Sequence, residues 1–203
     1  MKSKDNPGMH RALVTLSSLF PTFYDVFESG IDHAKSYFET HKFPYNPWLH
    51  ADLVRNWAKN ALDGHNLKTE YEASNLANAG IQLTVKEYFI RIRKALNGEI
   101  PSPGRSVALS QFYRQCQQLF LSSEFSDMHN LLLLWKTNNL GDFKGLSLVY
   151  PLSANTIKWR AEIPHPAEQA EIVTAYQASL EEWGDLDIEP LEEDNDDLQE
   201  EGQ

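Results

Sequence analysis

The first third of the chain carries its apolar residues at helical spacing. A first predicted helix has an inward face of Leu13, Leu16 and Phe20. Pro21 interrupts this helix, because its ring removes a backbone donor and clashes with the preceding turn. The apolar residues then recur every three or four positions as Phe23, Phe27, Ile31, Ala34 and Phe38. Asn46 followed by Pro47 has the pattern of an N-cap and a first helical residue. The pattern therefore predicts helices over residues 10–63.

The period changes from helical to alternating after residue 69. Two alternating stretches flank residues 86–87, and a two-residue turn there folds them into a hairpin over residues 80–95. The cross-strand pairs are then Val85 with Tyr88, Leu83 with Ile90, and Ile81 with Ile92, so these six apolar residues share one side of the sheet. A shorter strand is predicted just before the hairpin, at residues 71–73.

The second half of the chain predicts further elements of both types. They are a helix over 106–121, three strands within 131–163, and a final helix over 166–183. The connection over residues 138–145 is too short for a helical crossover, so antiparallel pairing is favoured. We therefore predict a single α+β domain over residues 1–184. Its sheet is mainly antiparallel, has about five or six strands, and carries the helices on one face.

The composition indicates a protein of the cytoplasm. The chain has 203 residues and is 41% hydrophobic, which is enough for one core. The longest uncharged apolar run, Leu131–Trp135, is far shorter than the roughly 20 residues needed to span a bilayer. The N-terminal apolar stretch is interrupted by polar residues, which favours an amphipathic helix over a signal peptide. Cys116 is the only cysteine, which suits a reducing compartment. We therefore expect no membrane partner.

The negative charge is concentrated at one end of the chain. Residues 1–160 hold all 18 Lys and Arg against 14 Asp and Glu. Residues 161–203 hold the other 15 acids and no Lys or Arg. The body is therefore mildly basic. Residues 185–203 are predicted to form a disordered acidic tail, in which Leu186, Ile188 and Leu191 interrupt the acids. Such a segment is suited to docking on a basic groove, although a solvated, functionally quiet tail has the same composition.

The alternation also predicts a basic face on the side of the sheet opposite the helices. Its candidate residues are Phe89, Arg91, Arg93, Lys136, Lys158 and Arg160. An aromatic side chain among cations suits contact with phosphates combined with stacking of bases. The alternative is that these are ordinary solvated residues, because antiparallel sheets commonly expose one polar face.

A second candidate site lies where residues 103–106 lead into the predicted helix. A helix N-terminus exposes unpaired N–H groups, and nearby cations strengthen its attraction for anions. The candidate residues are Arg93, Lys94, Arg105, Ser106 and Arg114. The spacing of a P-loop is absent. A plain Pro/Gly connection with a serine cap is the alternative.

The sequence predicts no metal site and no cofactor. His33, His41 and His50 form the one cluster of histidines, but His33 and His41 would lie about 12 Å apart along a helix, too far to share an ion. We interpret these histidines as residues of the surface or of helix ends. Motifs of zinc sites, nucleophile elbows and dinucleotide sites are absent.

These patterns favour a non-catalytic binding or regulatory module. Its basic body would contact an anionic partner, either nucleic acid or a phosphate-bearing ligand, and the acidic tail would modulate that contact. The first alternative is that the tail is the working part, as a nucleic-acid mimic or as an arm for a basic protein partner. The second alternative is a hydrolase whose site is dispersed along the sequence. The sequence leaves the oligomeric state open.

Overall fold

The computed structural model describes residues 6–64, 72–76, 80–95, 99–116 and 128–166. Within these residues the chain forms four α-helices and six strands. The helices are α1 (Pro7–Leu16), α2 (Phe20–His41), α3 (Pro47–Gly64) and α4 (Val107–Tyr113). The strands are β1 (Glu72–Leu76), β2 (Gly80–Val85), β3 (Tyr88–Lys94), β4 (His129–Thr137), β5 (Phe143–Pro151) and β6 (Ile157–Ile163). No helix in the described ranges is long and apolar enough to cross a membrane.

The N-terminal helices begin and end where the sequence chemistry requires. Asn6 caps α1 by accepting a hydrogen bond from the N–H of Met9. A short 3₁₀ turn separates α1 from α2, and Pro21 lies in the first turn of α2, where its missing N–H costs nothing. Asn46 accepts hydrogen bonds from two N–H groups of the first turn of α3, as predicted. Helices α2 and α3 pack against each other.

The six strands form one sheet in which neighbours along the chain are neighbours in space. Every pair is antiparallel except β3 with β4, which is parallel. The hairpin register is the predicted one, with Val85 opposite Tyr88 and Leu83 opposite Ile90. The parallel pair requires a crossover, and α4 lies within that connection. The predicted α+β class with a mainly antiparallel sheet is therefore confirmed.

The two faces of the sheet carry separate apolar clusters. Helices α1, α2 and α3 pack on one face, against side chains that include Leu131, Leu133 and Trp135. The other face carries Leu132 and Leu134, and α4 packs against them through Phe112, Tyr113 and their neighbours. Strand β4 is therefore buried on both sides, in keeping with its continuous apolar run. The three long helices share one face as predicted, while the crossover brings α4 to the opposite face.

Helix α4 ends earlier than the sequence predicts. The prediction extended it to residue 121, but the helix stops at Tyr113, and Gln115 has a left-handed backbone with φ of 58°. The side-chain amide of Gln115 donates to the carbonyls of Asn130 and Pro151, and its side-chain oxygen accepts from the N–H of Asn130. These contacts between distant residues end the helix. The predicted helix over 166–183, beyond its first residue, and the predicted tail over 185–203 lie outside the described residues.

Candidate anion-binding site

A cavity of about 600 Å³ lies where β3 ends and β2 begins. It is bounded by α2, α3, the sheet, the loop over residues 102–106 and the first turn of α4. Its cationic lining consists of Arg55, Arg91, Arg93 and Lys94. Its apolar lining includes Phe27, Ile81, Ile92, Leu109 and Trp135. Among the residues that the structure describes, the lining contains no Asp or Glu, so these residues give the cavity a concentrated positive charge.

Arg91 is the most deeply buried of these cations, with a relative exposure of 6%. Its Nε donates a hydrogen bond of 3.0 Å to Oε1 of Gln82, and its guanidinium carbon lies 4.3 Å from the centre of the Phe112 ring. Burial lowers the pKa of Arg91, and the positive charge of Arg93 lowers it further. Within the described part of the chain, no carboxylate pairs with Arg91. An anion placed beside Arg91 would offset the free energy lost through its desolvation and through its repulsion by Arg93.

Arg93 and Lys94 follow each other at the end of β3, so their side chains leave opposite sides of the strand. Arg93 donates a long hydrogen bond of 3.5 Å to the carbonyl of Ser102. The ammonium of Lys94 lies 5.1 Å from the centre of the Trp135 ring, and burial lowers the pKa of Lys94. Neither cation has a carboxylate partner among the residues that the structure describes. Arg91, Arg93 and Lys94 therefore lie near the end of β3 without a counterion among the described residues.

Two hydrogen bonds fix the conformation of the segment over residues 101–104, which leads into the loop beside the cavity. The buried hydroxyl of Tyr113 donates to the carbonyl of Pro101 at 2.6 Å. The hydroxyl oxygen of Ser102 accepts from the N–H of Gly104, whose φ of 61° suits a residue without a side chain. Ser106 caps α4 by accepting from the N–H of Leu109 at 3.2 Å. The serine therefore occupies part of the helix N-terminus, and the positive charge of the cavity comes mainly from side chains.

Some of the candidate site residues predicted from the sequence line the cavity, and others do not. Arg91, Arg93, Lys94 and Ser106 line it, whereas Arg105 and Arg114 are exposed and do not. Arg114 follows α4 and therefore lies at the opposite end of that helix.

Arg55 is a residue of the cavity that the sequence reasoning missed. Its Nη2 lies 2.6 Å from Oδ1 of Asp52, while its Nε is buried and has no hydrogen-bond partner among the described residues. Ala51, Arg55 and Ala58 all line the cavity from α3. Their spacing of four and three residues defines one helix face, and that face was the available signal.

The predicted basic face is not continuous, because α4 lies between the cations of β3 and those of β4 and β6. Strands β3 to β6 share one sheet, but α4 covers the surface between them, and Phe89 packs into the cluster beneath that helix. Towards the β6 edge of the sheet, Glu162 forms ion pairs with both Lys136 and Arg160. A register shift beside Tyr150 leaves Lys158 without a partner residue in the ladder, and its ammonium lies 5.2 Å from the Tyr150 ring centre. The described cations therefore concentrate at the end of β3 instead of covering the face.

His50 lies in the first turn of α3, which agrees with the prediction of a helix-end position. Its side chain nevertheless has no exposed surface, because it lies between the rings of Phe38 and Tyr45. Burial lowers the pKa of His50 to about 4, with smaller contributions from the charges of Lys94 and Lys35. Both ring nitrogens lack hydrogen-bond partners within the described residues. The imidazole is therefore neutral at pH 7.

Neither the arrangement of potential metal ligands among the described residues nor similarity to known proteins indicates a function. In the ranges that the structure describes, no group of three or more His, Cys, Asp or Glu side chains is arranged to hold a metal ion. A comparison of the chain with protein-family models, curated proteins and solved structures gives no match.

Proposed function

We propose that this protein is a non-catalytic binding module that takes an anionic ligand in the cavity at the end of β3. The observation that carries the proposal is that Arg91, Arg93 and Lys94 line one cavity, whose described lining residues include no acid. In most folds a buried or half-buried cation is compensated by a nearby carboxylate. Here the described residues supply none to these three side chains, so an external anion is the natural counterion.

A phosphate group fits this arrangement better than a carboxylate. Guanidinium groups present planar forks of donors that bind two oxygens at once, and a phosphate has oxygens for several such donors. Arg93 and Lys94 reach the cavity from opposite sides of the strand. A phosphate has more oxygens than a carboxylate, so it can pair with more of the cations that line the cavity.

The acidic end of the chain would regulate this site. Residues 161–203 hold 15 acids and no Lys or Arg, while the body before them carries an excess of cations. Flexible acidic segments compete with anionic ligands for basic sites, and the competition weakens as salt screens the charges. The tail would thereby restrict the cavity to ligands that bind more tightly than the tail does. The alternative role of the tail, as an arm for a basic protein partner, stays a prediction.

Calorimetric titration of the full chain with pyrophosphate at low salt tests the proposed site. The variant Arg93→Glu reverses one charge of the cavity, and Lys144→Glu makes the same change at an exposed position outside it. We expect Arg93→Glu to weaken binding by about tenfold or more, and Lys144→Glu to keep most of the affinity. An equal loss in both variants would contradict a localised site. The proposal fails outright if the unaltered protein does not bind pyrophosphate.

A further inference from the structure

We infer that the cavity takes a small organic phosphate whose body is apolar or aromatic, and that it does not take a nucleic-acid polymer. This inference rests on the proposed function and specifies its ligand. It is drawn from three properties of the cavity: its volume, the two kinds of side chain in its lining, and the burial of its cations.

The volume exceeds what a phosphate alone would fill. About 600 Å³ corresponds to the volume of roughly twenty water molecules. Cavities of this size typically hold organic ligands or cofactors. A bare phosphate bound here would leave most of the space to solvent, so the ligand is expected to carry a substantial organic body.

The lining has a cationic part, which suits a charged head group, and an aliphatic part, which suits an apolar ligand body. The guanidinium and ammonium groups of Arg93 and Lys94 come from the last residues of β3. Ile81, Ile92 and Leu109 supply aliphatic lining from β2, β3 and α4. A ligand with a charged head and an apolar body satisfies both parts, because the head neutralises the cations and the body removes apolar surface from water.

The burial of the cations argues against a polymer. Proteins that bind single strands use open grooves whose exposed cations follow successive phosphates. Arg91 is only 6% exposed, and the cavity lies at the end of a strand between a helix and a loop. The basic face that would continue such a groove is interrupted by α4, and Glu162 neutralises its Lys136. The geometry therefore suits one phosphorylated head group.

A matched series of ligands tests the inference on the full chain at low salt. Methyl diphosphate carries the head group with almost no body. Geranyl diphosphate adds an aliphatic body and adenosine diphosphate adds an aromatic ring, so these two probes distinguish the sources of the organic part. A single-stranded oligothymidylate represents the polymer. We expect at least one of the two organic diphosphates to bind about tenfold more tightly than methyl diphosphate.

The variant Ala108→Trp provides the structural half of the test. Ala108 lines the cavity from an exposed position in α4, so a larger side chain there fills space without disturbing the core. We expect this variant to lose the advantage of the organic diphosphates while it still binds methyl diphosphate. The smaller change Ala108→Leu should give a partial loss, and circular dichroism verifies the fold of both variants.

The outcomes separate the two proposals. If methyl diphosphate binds as tightly as both organic diphosphates, or if the oligonucleotide binds more tightly than all three, the inference is wrong while the anion site stands. If neither pyrophosphate nor any diphosphate binds, the proposed function fails with it. An advantage for an organic diphosphate that Ala108→Trp leaves intact would place that ligand elsewhere and also overturn the inference.

Discussion

The hydroxyl of Tyr113 donates a 2.6 Å hydrogen bond to the carbonyl of Pro101, and this bond joins α4 to the loop beside the cationic cavity. Tyr113 has no exposed surface, and burial raises its pKa. The bond spans the part of the β3–β4 crossover that carries Ser102 and Ser106. The shape of the cavity therefore depends on a residue that does not line it.

Replacement of Tyr113 by phenylalanine should lower both stability and anion affinity. Tyr113→Phe leaves the buried carbonyl of Pro101 without its donor, at a cost of about 1–3 kcal/mol in the free energy of unfolding. The loop would also lose its anchor, so pyrophosphate affinity should fall. Urea denaturation and calorimetry measure the two effects. Unchanged affinity in a destabilised variant would show that the loop does not depend on this bond.

Removal of the buried charge at Arg91 should stabilise the protein and weaken ligand binding. Arg91→Met keeps a long side chain against Phe112 and removes a desolvated cation that no described carboxylate balances. We expect the free energy of unfolding to rise by about 1 kcal/mol without ligand, and pyrophosphate affinity to fall. Chemical denaturation with and without pyrophosphate measures both. A destabilised variant would mean that the contacts of Arg91 with Phe112 and Gln82 outweigh its desolvation.

His50 should make the protein sensitive to acid. Its folded pKa of about 4 lies below the ordinary value of 6.5, so the unfolded chain binds a proton more readily than the folded chain between these values. Stability is therefore complete above about pH 6.5 and falls as the pH approaches 4, by up to about 3 kcal/mol. Urea denaturation across this range measures the slope.

The variant His50→Leu should reduce that slope. It should not destabilise the protein at neutral pH, because both ring nitrogens lack partners in the described structure. His41→Gln, at an exposed position of α2, is the matched control and should retain the acid sensitivity. An unchanged slope in His50→Leu would assign the sensitivity to other groups.

Removal of residues 185–203 should increase the affinity of the cavity for pyrophosphate. The deleted segment carries acids and no basic residues, so its loss removes a competitor for the cations at the end of β3. The gain should be large at low salt and should shrink at high salt, because the competition is electrostatic. Calorimetry at several salt concentrations measures it. Equal affinities of the truncated and full-length chains at low salt would contradict the proposed regulatory role of the tail.

The sequence predicts local structure well and contacts between distant residues poorly. The hairpin register follows from alternation and the length of one turn, both contained within about fifteen residues, and the structure confirms it. The parallel pairing of β3 with β4 depends on how a long connection folds back, which neither strand specifies. The early end of α4 likewise depends on bonds between Gln115 and residues of β4 and β5.

The same distinction applies to the candidate site. Arg93, Lys94 and Ser106 are close in sequence, and the structure brings them to one cavity. Arg55 comes from a helix almost forty residues earlier, and only the packing of α3 against the sheet places it there. The alternation puts Arg91 on the face opposite the long helices, but it cannot show that a seven-residue helix covers that face.

Because of the parallel crossover between β3 and β4, we also expect the cavity to form late in folding. Antiparallel hairpins need only a short loop to close, whereas β3 and β4 meet only after the intervening chain has returned across the sheet. Arg93 and Trp135 lie on the two sides of that late contact, and both line the cavity. A ligand that binds there would therefore bind the folded protein and not chains in which β3 and β4 have yet to pair. Occupancy of the cavity would therefore report that the protein has matured, and in a cell it would protect mature molecules selectively from proteolysis.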